Sequence, residues 1–119
     1  MMGSHLKYLL AASAFCLLAG PALAKDQASG DEIRALLSGN TLQGSSAKSA
    51  YAEYYDPDGT LRGEGYAGKW KVEGDMGCMD YGEGFQCWTG YIDGTANIWY
   101  KDGKVDAAGM MLSGNPHDF

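Results

Sequence analysis

The chain has 119 residues, 45% of them hydrophobic, and a net charge of −6 at neutral pH. That length suits one domain with a thin core, and the acidic balance argues against nucleic acid or an anionic lipid surface as a partner. With three cysteines, two histidines and 18 glycines, the composition favours tight turns over a metal centre.

Met1 to Lys7 form a short polar start, Tyr8 to Ala19 an apolar run, and Ala22-Leu23-Ala24 a small-x-small site. Together these predict a secretory signal peptide cleaved after Ala24. The apolar run, which contains Cys16, is too short for a membrane span of about 20 residues. Cleavage leaves residues 25–119 as a single small β-domain. It removes Lys7 and no acid, so the net charge moves from −6 to −7. The expected location is periplasmic or secreted, with no membrane span once the leader is gone.

Lys25 to Gly30 reads as a linker. Ser29 or Asp31 can cap a short helix through Leu37, with Ile33, Leu36 and Leu37 on one face and Gly39 ending it. Thr41 to Gly44 opens the first strand, and Ser45 to Ser49 is a small polar loop. Tyr51 to Tyr55 then leads into the turn Asp56-Pro57-Asp58-Gly59. Thr60 to Tyr66 returns, with Gly63 and Gly65 suggesting a bulge or bend. Lys69, Lys71 and Glu73 alternate with Gly68, Trp70 and Val72, the period of a half-buried strand. Glu73-Gly74-Asp75 supplies the next reversal.

A type II′ turn at Gly82-Glu83 would pair Tyr81 with Gly84, Asp80 with Phe85, Met79 with Gln86, and Cys78 with Cys87. Hydrogen-bonded and non-hydrogen-bonded pairs alternate, so the cysteines fall on a non-hydrogen-bonded pair with Cα atoms about 4.5 Å apart. That is within the disulfide range of roughly 4.4–6.8 Å. The spacing therefore predicts a Cys78–Cys87 disulfide. A zinc site lacks a neighbouring histidine, and a redox dithiol lacks the C-x-x-C spacing. Asp93-Gly94 and Asp102-Gly103 are hairpin signals that set off strands at Thr95 to Lys101 and Lys104 to Leu112. Ser113 to Phe119 forms a tail.

About eight short strands with short connections predict an all-β antiparallel meander, a closed or strongly curled barrel. The helix is expected against an opening or an edge. Few residues suggest chemistry. His117 is the only histidine after the leader and sits in the tail, a poor place for a catalytic imidazole. Asp56, Asp58, Asp75 and Asp80 read as turn residues, and the Asp56 run lacks the ligands of a calcium loop. Met76, Met79, Met110 and Met111 with His117 resemble soft copper ligands, but core filling accounts for such methionines more simply. Trp70, Trp88, Trp99, Tyr91 and Tyr100 fall on adjacent strands and are the candidate ligand-binding residues. Trp99 and Tyr100 are consecutive and so must face opposite ways. No phosphate-binding glycine loop, cofactor or catalytic residue is expected.

The chain resembles a set of small secreted proteobacterial β-domain proteins of unknown function. The resemblance is carried by Leu37 to Thr41, Asp58-Gly59, Gly68 to Val72, Cys78, Cys87-Trp88 and Gly114 to Pro116. It implies an extracytoplasmic single domain and no particular ligand. The expected function is therefore a non-enzymatic binding module for a small apolar ligand or a protein. The rival readings are an inhibitor of a cationic extracytoplasmic hydrolase, with that basic protein as partner, and an envelope structural or stress protein.

Overall fold

The computed structural model describes residues 26–119. The leader and its cleavage site lie outside the described residues. Helix α1 spans Gly30–Leu37. Of the two candidate caps the structure uses Ser29, whose hydroxyl accepts from the Glu32 N–H at 3.2 Å. The Glu32 carboxylate accepts from the Ser29 N–H at 3.1 Å, completing a capping box. Gly39, at φ 75°, ends the helix and turns the chain into the sheet.

Eight strands follow: β1 Asn40–Ser46, β2 Ala50–Tyr55, β3 Thr60–Gly63, β4 Tyr66–Glu73, β5 Met76–Asp80, β6 Phe85–Asp93, β7 Ala96–Lys101 and β8 Lys104–Ser113. Each pairs antiparallel with the next, and β8 pairs with β1 to close the barrel. Closure leaves no bare edge. An eight-stranded barrel has an interior just wide enough for side chains or one small ligand.

Three local features depart from the sequence expectation. Gly63 and Gly65 mark a full reversal between β3 and β4, in which Gly63 pairs with Tyr66, instead of a bulge within one strand. A Cβ at position 63 would lie 2.3 Å from the Tyr66 ring, so a larger residue there would displace that ring. Between β5 and β6 the expected register holds, with Cys78 opposite Cys87, Met79 opposite Gln86 and Asp80 opposite Phe85. The ladder ends there, however, and Tyr81 and Gly84 belong to a wider loop. The Asp80 carboxylate holds that loop by accepting from the N–H groups of Gly82 (2.8 Å) and Gly84 (3.1 Å). Lastly, the tail is tied down. The Thr41 hydroxyl donates to the Gly114 carbonyl at 2.8 Å, Arg62 Nε donates to the Phe119 carbonyl at 3.2 Å, and His117 Nε2 lies 2.8 Å from Gln43 Oε1.

Cys78 and Cys87 are disulfide-bonded, with Cα atoms 4.0 Å apart. Their chain neighbours Gly77, Met79 and Trp88 point into the barrel, so the bond staples β5 to β6 from outside. A structural disulfide fits an extracytoplasmic location. Among the described residues no helix is long and apolar enough to cross a membrane.

The two ends of the barrel differ. Helix α1 lies across the end formed by the β2–β3, β4–β5 and β6–β7 connections. The Gly30 N–H donates to Asp75 Oδ1 at 2.8 Å, and the Ala28 N–H donates to the Gly90 carbonyl at 2.7 Å. Ile33, Leu36 and Leu37 from the helix join Leu42, Leu61, Trp70 and Trp99 in one apolar cluster. Glycines make that cluster possible. A Cβ at Gly77 would stand 3.1 Å from the Trp99 indole and 3.3 Å from Ile33, and one at Gly90 would stand 3.2 Å from the same indole. The large ring thus lies against two strands that present no side chain. Buried Asn97 accepts from Trp99 Nε1 at 2.9 Å and donates to the Gly109 carbonyl at 3.1 Å.

Candidate ligand-binding site

The opposite end, formed by the β1–β2, β3–β4, β5–β6 and β7–β8 connections, is open. A cavity of about 270 Å³ enters the barrel there. At about 30 Å³ per water molecule it has room for on the order of nine non-hydrogen atoms.

Strand β2 supplies its floor. In a strand alternate residues share a face, and here Tyr51, Glu53 and Tyr55 point inward. Glu53 is only 5% exposed. Its carboxylate accepts from the Tyr81 hydroxyl at 2.8 and 2.9 Å, from the Tyr55 hydroxyl at 3.3 Å and from Tyr66. Burial raises the Glu53 carboxyl above its ordinary value, and the three phenol donors oppose that rise in part. The phenols shift as well. Tyr51 is pushed up to about 12 by burial and by the nearby Glu53 charge, and Tyr55, Tyr66 and Tyr81 move upward for the same two reasons. All four therefore stay protonated across the physiological range.

The reach of Tyr66 and Tyr81 follows from local structure. Tyr66 starts β4 and folds back over Gly63, while Tyr81 rides on the loop that the Asp80 carboxylate holds. Their rings meet at 6.2 Å. Both remain substantially exposed at the rim. Trp88 and Trp99 form the facing wall with Met79 and Ala107. A β-bulge provides the remaining charged group. Trp99 pairs with Ala107 but Tyr100 pairs with Val105, which leaves Asp106 unpaired. Bulges re-aim side chains, and here the Asp106 carboxylate turns to the mouth and accepts from Trp88 Nε1 at 2.9 Å. Lys101 stands beside it at the rim, with its ammonium 4.6 Å from the centre of the Trp88 ring and 2.9 Å from Gln86 Oε1.

The five aromatic candidates separate into three groups. Trp88 and Trp99 line the cavity. Trp70 belongs to the sealed end, where it packs edge-on against Tyr55 and donates from Nε1 to the Asp56 carbonyl at 2.8 Å. Tyr91 and Tyr100 face outward and contact each other at 5.1 Å. Met79 is buried, Met111 is partly buried against the core, and Met76 and Met110 are exposed. The structure therefore scatters the methionines and His117. Sequence reasoning missed Glu53 with its tyrosines, and it missed Asp106. A signal did exist in the alternation of Tyr51, Glu53 and Tyr55, which places an acid between two phenols on one face.

Fold and site together define a small closed β-barrel, plugged by a helix at one end and open at the other onto a tyrosine-ringed carboxylate. No family model matches the chain, and the searches of curated proteins and of solved structures found no match to it.

Proposed function

We propose that this chain is an exported, non-enzymatic binding protein, periplasmic or secreted, that holds one small molecule in the open end of its barrel. The observation that carries the reading is the cavity itself, in which two indoles face a buried carboxylate. Binding sites of this kind pair mostly aromatic walls with a few placed polar groups. The lining also favours binding over catalysis. The lining holds two carboxylates, two serines and four tyrosines, and no histidine, cysteine or lysine stands among them to serve as a base or activated nucleophile. The site is more polar than a purely apolar ligand requires, so the expected occupant is amphipathic.

The test is a tryptophan-fluorescence titration of the leader-free protein with amphipathic amines, alcohols and carboxylates of about nine heavy atoms. A companion variant, Ala107→Phe, fills the cavity from its wall. Saturable one-to-one binding that the variant abolishes, with its melting temperature kept, supports the reading. Binding that survives the filling places the ligand elsewhere. Absence of saturation with every class overturns the proposal.

A further inference from the structure

We infer that the ligand is an organic cation, a primary ammonium on an aromatic or apolar body, with its charged end at Glu53 and its body against Trp88 and Trp99. The inference rests on the preceding reading of the cavity and adds the chemistry of the occupant.

Charge is the first argument. Glu53 is nearly fully buried and makes no ion pair among the described residues. Its partners are all neutral phenols, which satisfy hydrogen bonds but bring no positive charge. A buried carboxylate without a counter-charge is costly, and the cavity lining contains no lysine, arginine or histidine. The other lining acid, Asp106, adds to the negative field at the entrance. Of the lysines on the connections at this end, Lys101 is held by Gln86 Oε1 at 2.9 Å, and neither it nor Lys48 nor Lys104 lines the cavity. An anionic ligand would meet two carboxylates. A cation would supply the missing charge.

Donor geometry is the second argument. Tyr55, Tyr66 and Tyr81 spend their single protons on Glu53, which leaves their oxygens as acceptors. The Tyr51 hydroxyl is buried with no hydrogen-bond partner among the described residues. Even with the free Tyr51 proton counted as a donor, the carboxylate and phenol oxygens offer acceptors in excess, and an ammonium with three donors matches them better than an alcohol with one. The aromatic walls are the third argument, because indole and phenol faces attract cations. The Lys101 ammonium already rests over the Trp88 ring at the rim, an example of that preference in this molecule.

Phenethylamine, phenethyl alcohol and phenylacetate separate the alternatives, as near-isosteres bearing a positive, a neutral and a negative end. The readout is tryptophan fluorescence, with calorimetry for stoichiometry. The amine is expected to bind about tenfold more tightly than the alcohol, since both donate to the same carboxylate but only the ammonium also brings a charge. The carboxylate should bind weakest. In the native protein the amine's advantage should shrink as the pH is lowered and Glu53 takes up its proton. The groups facing Glu53 are Tyr51 and Tyr55 from its own strand, Tyr66 from β4 and Tyr81 from the β5–β6 loop, with Asp106 at the mouth. Because Asp106 is the other acid, Asp106→Asn is compared with Glu53→Gln, and the preference should disappear in the Glu53 variant. Equal binding of amine and alcohol overturns the cation inference and leaves the cavity reading intact. A preference that tracks Asp106 overturns the assignment to Glu53. If none of the three binds, the cavity reading itself fails. If Glu53→Gln does not fold, the pH series repeated on Asp106→Asn decides the matter, since a pH-dependent preference that persists there belongs to Glu53 and one that vanishes belongs to Asp106.

Discussion

Replacing both cysteines, as Cys78→Ala with Cys87→Ala, should lower the melting temperature by roughly 13 °C. The sequence separation is 9, so the bond closes a loop of about ten residues. In the chain-entropy treatment such a loop restricts the unfolded state by about 2.6 kcal/mol at room temperature. A domain of this size unfolds with an entropy of about 200 cal/mol/K near its midpoint. The quotient of those two quantities is the expected shift. Cys78 is fully buried, so the alanine pair also loses some packing. Reducing the native protein with a phosphine keeps the sulfur atoms and isolates the cross-link. Differential scanning calorimetry of oxidised, reduced and double-alanine protein gives all three values, with mass spectrometry confirming full reduction. A fall of less than about 4 °C in fully reduced protein would refute the reasoning, since the β5–β6 hairpin would then be formed already in the unfolded chain. Tyr81 rides on the loop that the disulfide closes, so reduction should also weaken any ligand contact made at Glu53.

Glu53→Gln should flatten the pH dependence of stability. Burial raises the Glu53 carboxyl above its ordinary value of 4.5, so the folded state holds the proton more tightly than the unfolded one. Above pH 4.5 the unfolded chain ionises first, and stability falls as the pH rises toward the folded value. The native melting temperature should therefore drop over that interval while the variant's changes less, and parallel curves would remove the argument. Gly77→Val should cost about 1–3 kcal/mol by crowding the Trp99 indole and Ile33, and should shift tryptophan emission; an unchanged spectrum and midpoint would show that the ring is not held there. Ser29→Ala removes the hydroxyl half of the capping box and should cost about 1 kcal/mol, read as a fall of some 5 °C.

The strand count and most of the register could be read because they depend on neighbours in the chain. Alternation at Gly68 to Val72, the Asp-Gly pairs, and the count outward from Gly82 to Cys78 and Cys87 all use information within about ten residues. The register survived a wrong turn type because the Asp80 carboxylate stands in for the lost backbone pair at the same loop length. The site was harder to see. Period two assigns Tyr51, Glu53 and Tyr55 to one face but does not say that this face points inward. Only closure of β8 on β1 makes it interior. Closure also brings Tyr66, Tyr81 and Trp88 to Glu53 from three other parts of the chain. The bulge at Asp106 was invisible for a related reason, since it exists only relative to the pairing of β7.

A buried acid among phenols conflicts locally with a fold that otherwise hides apolar groups, and conflicts of that kind collect at functional sites. Its position in the barrel explains how the fold tolerates it. The apolar cluster of Ile33, Leu36, Leu37, Trp70 and Trp99 fills the helix end, so folding is driven mainly from there. The disulfide then fixes β5 to β6 on the side that carries Tyr81, without drawing on core packing. Stability supplied by the plug and the staple lets the open end keep groups that an efficient core would exclude. Each phenol around Glu53 makes the carboxylate easier to bury but does not neutralise it. What is left is a charge held on the floor of a cavity, and an incoming cation is the partner that would relieve it.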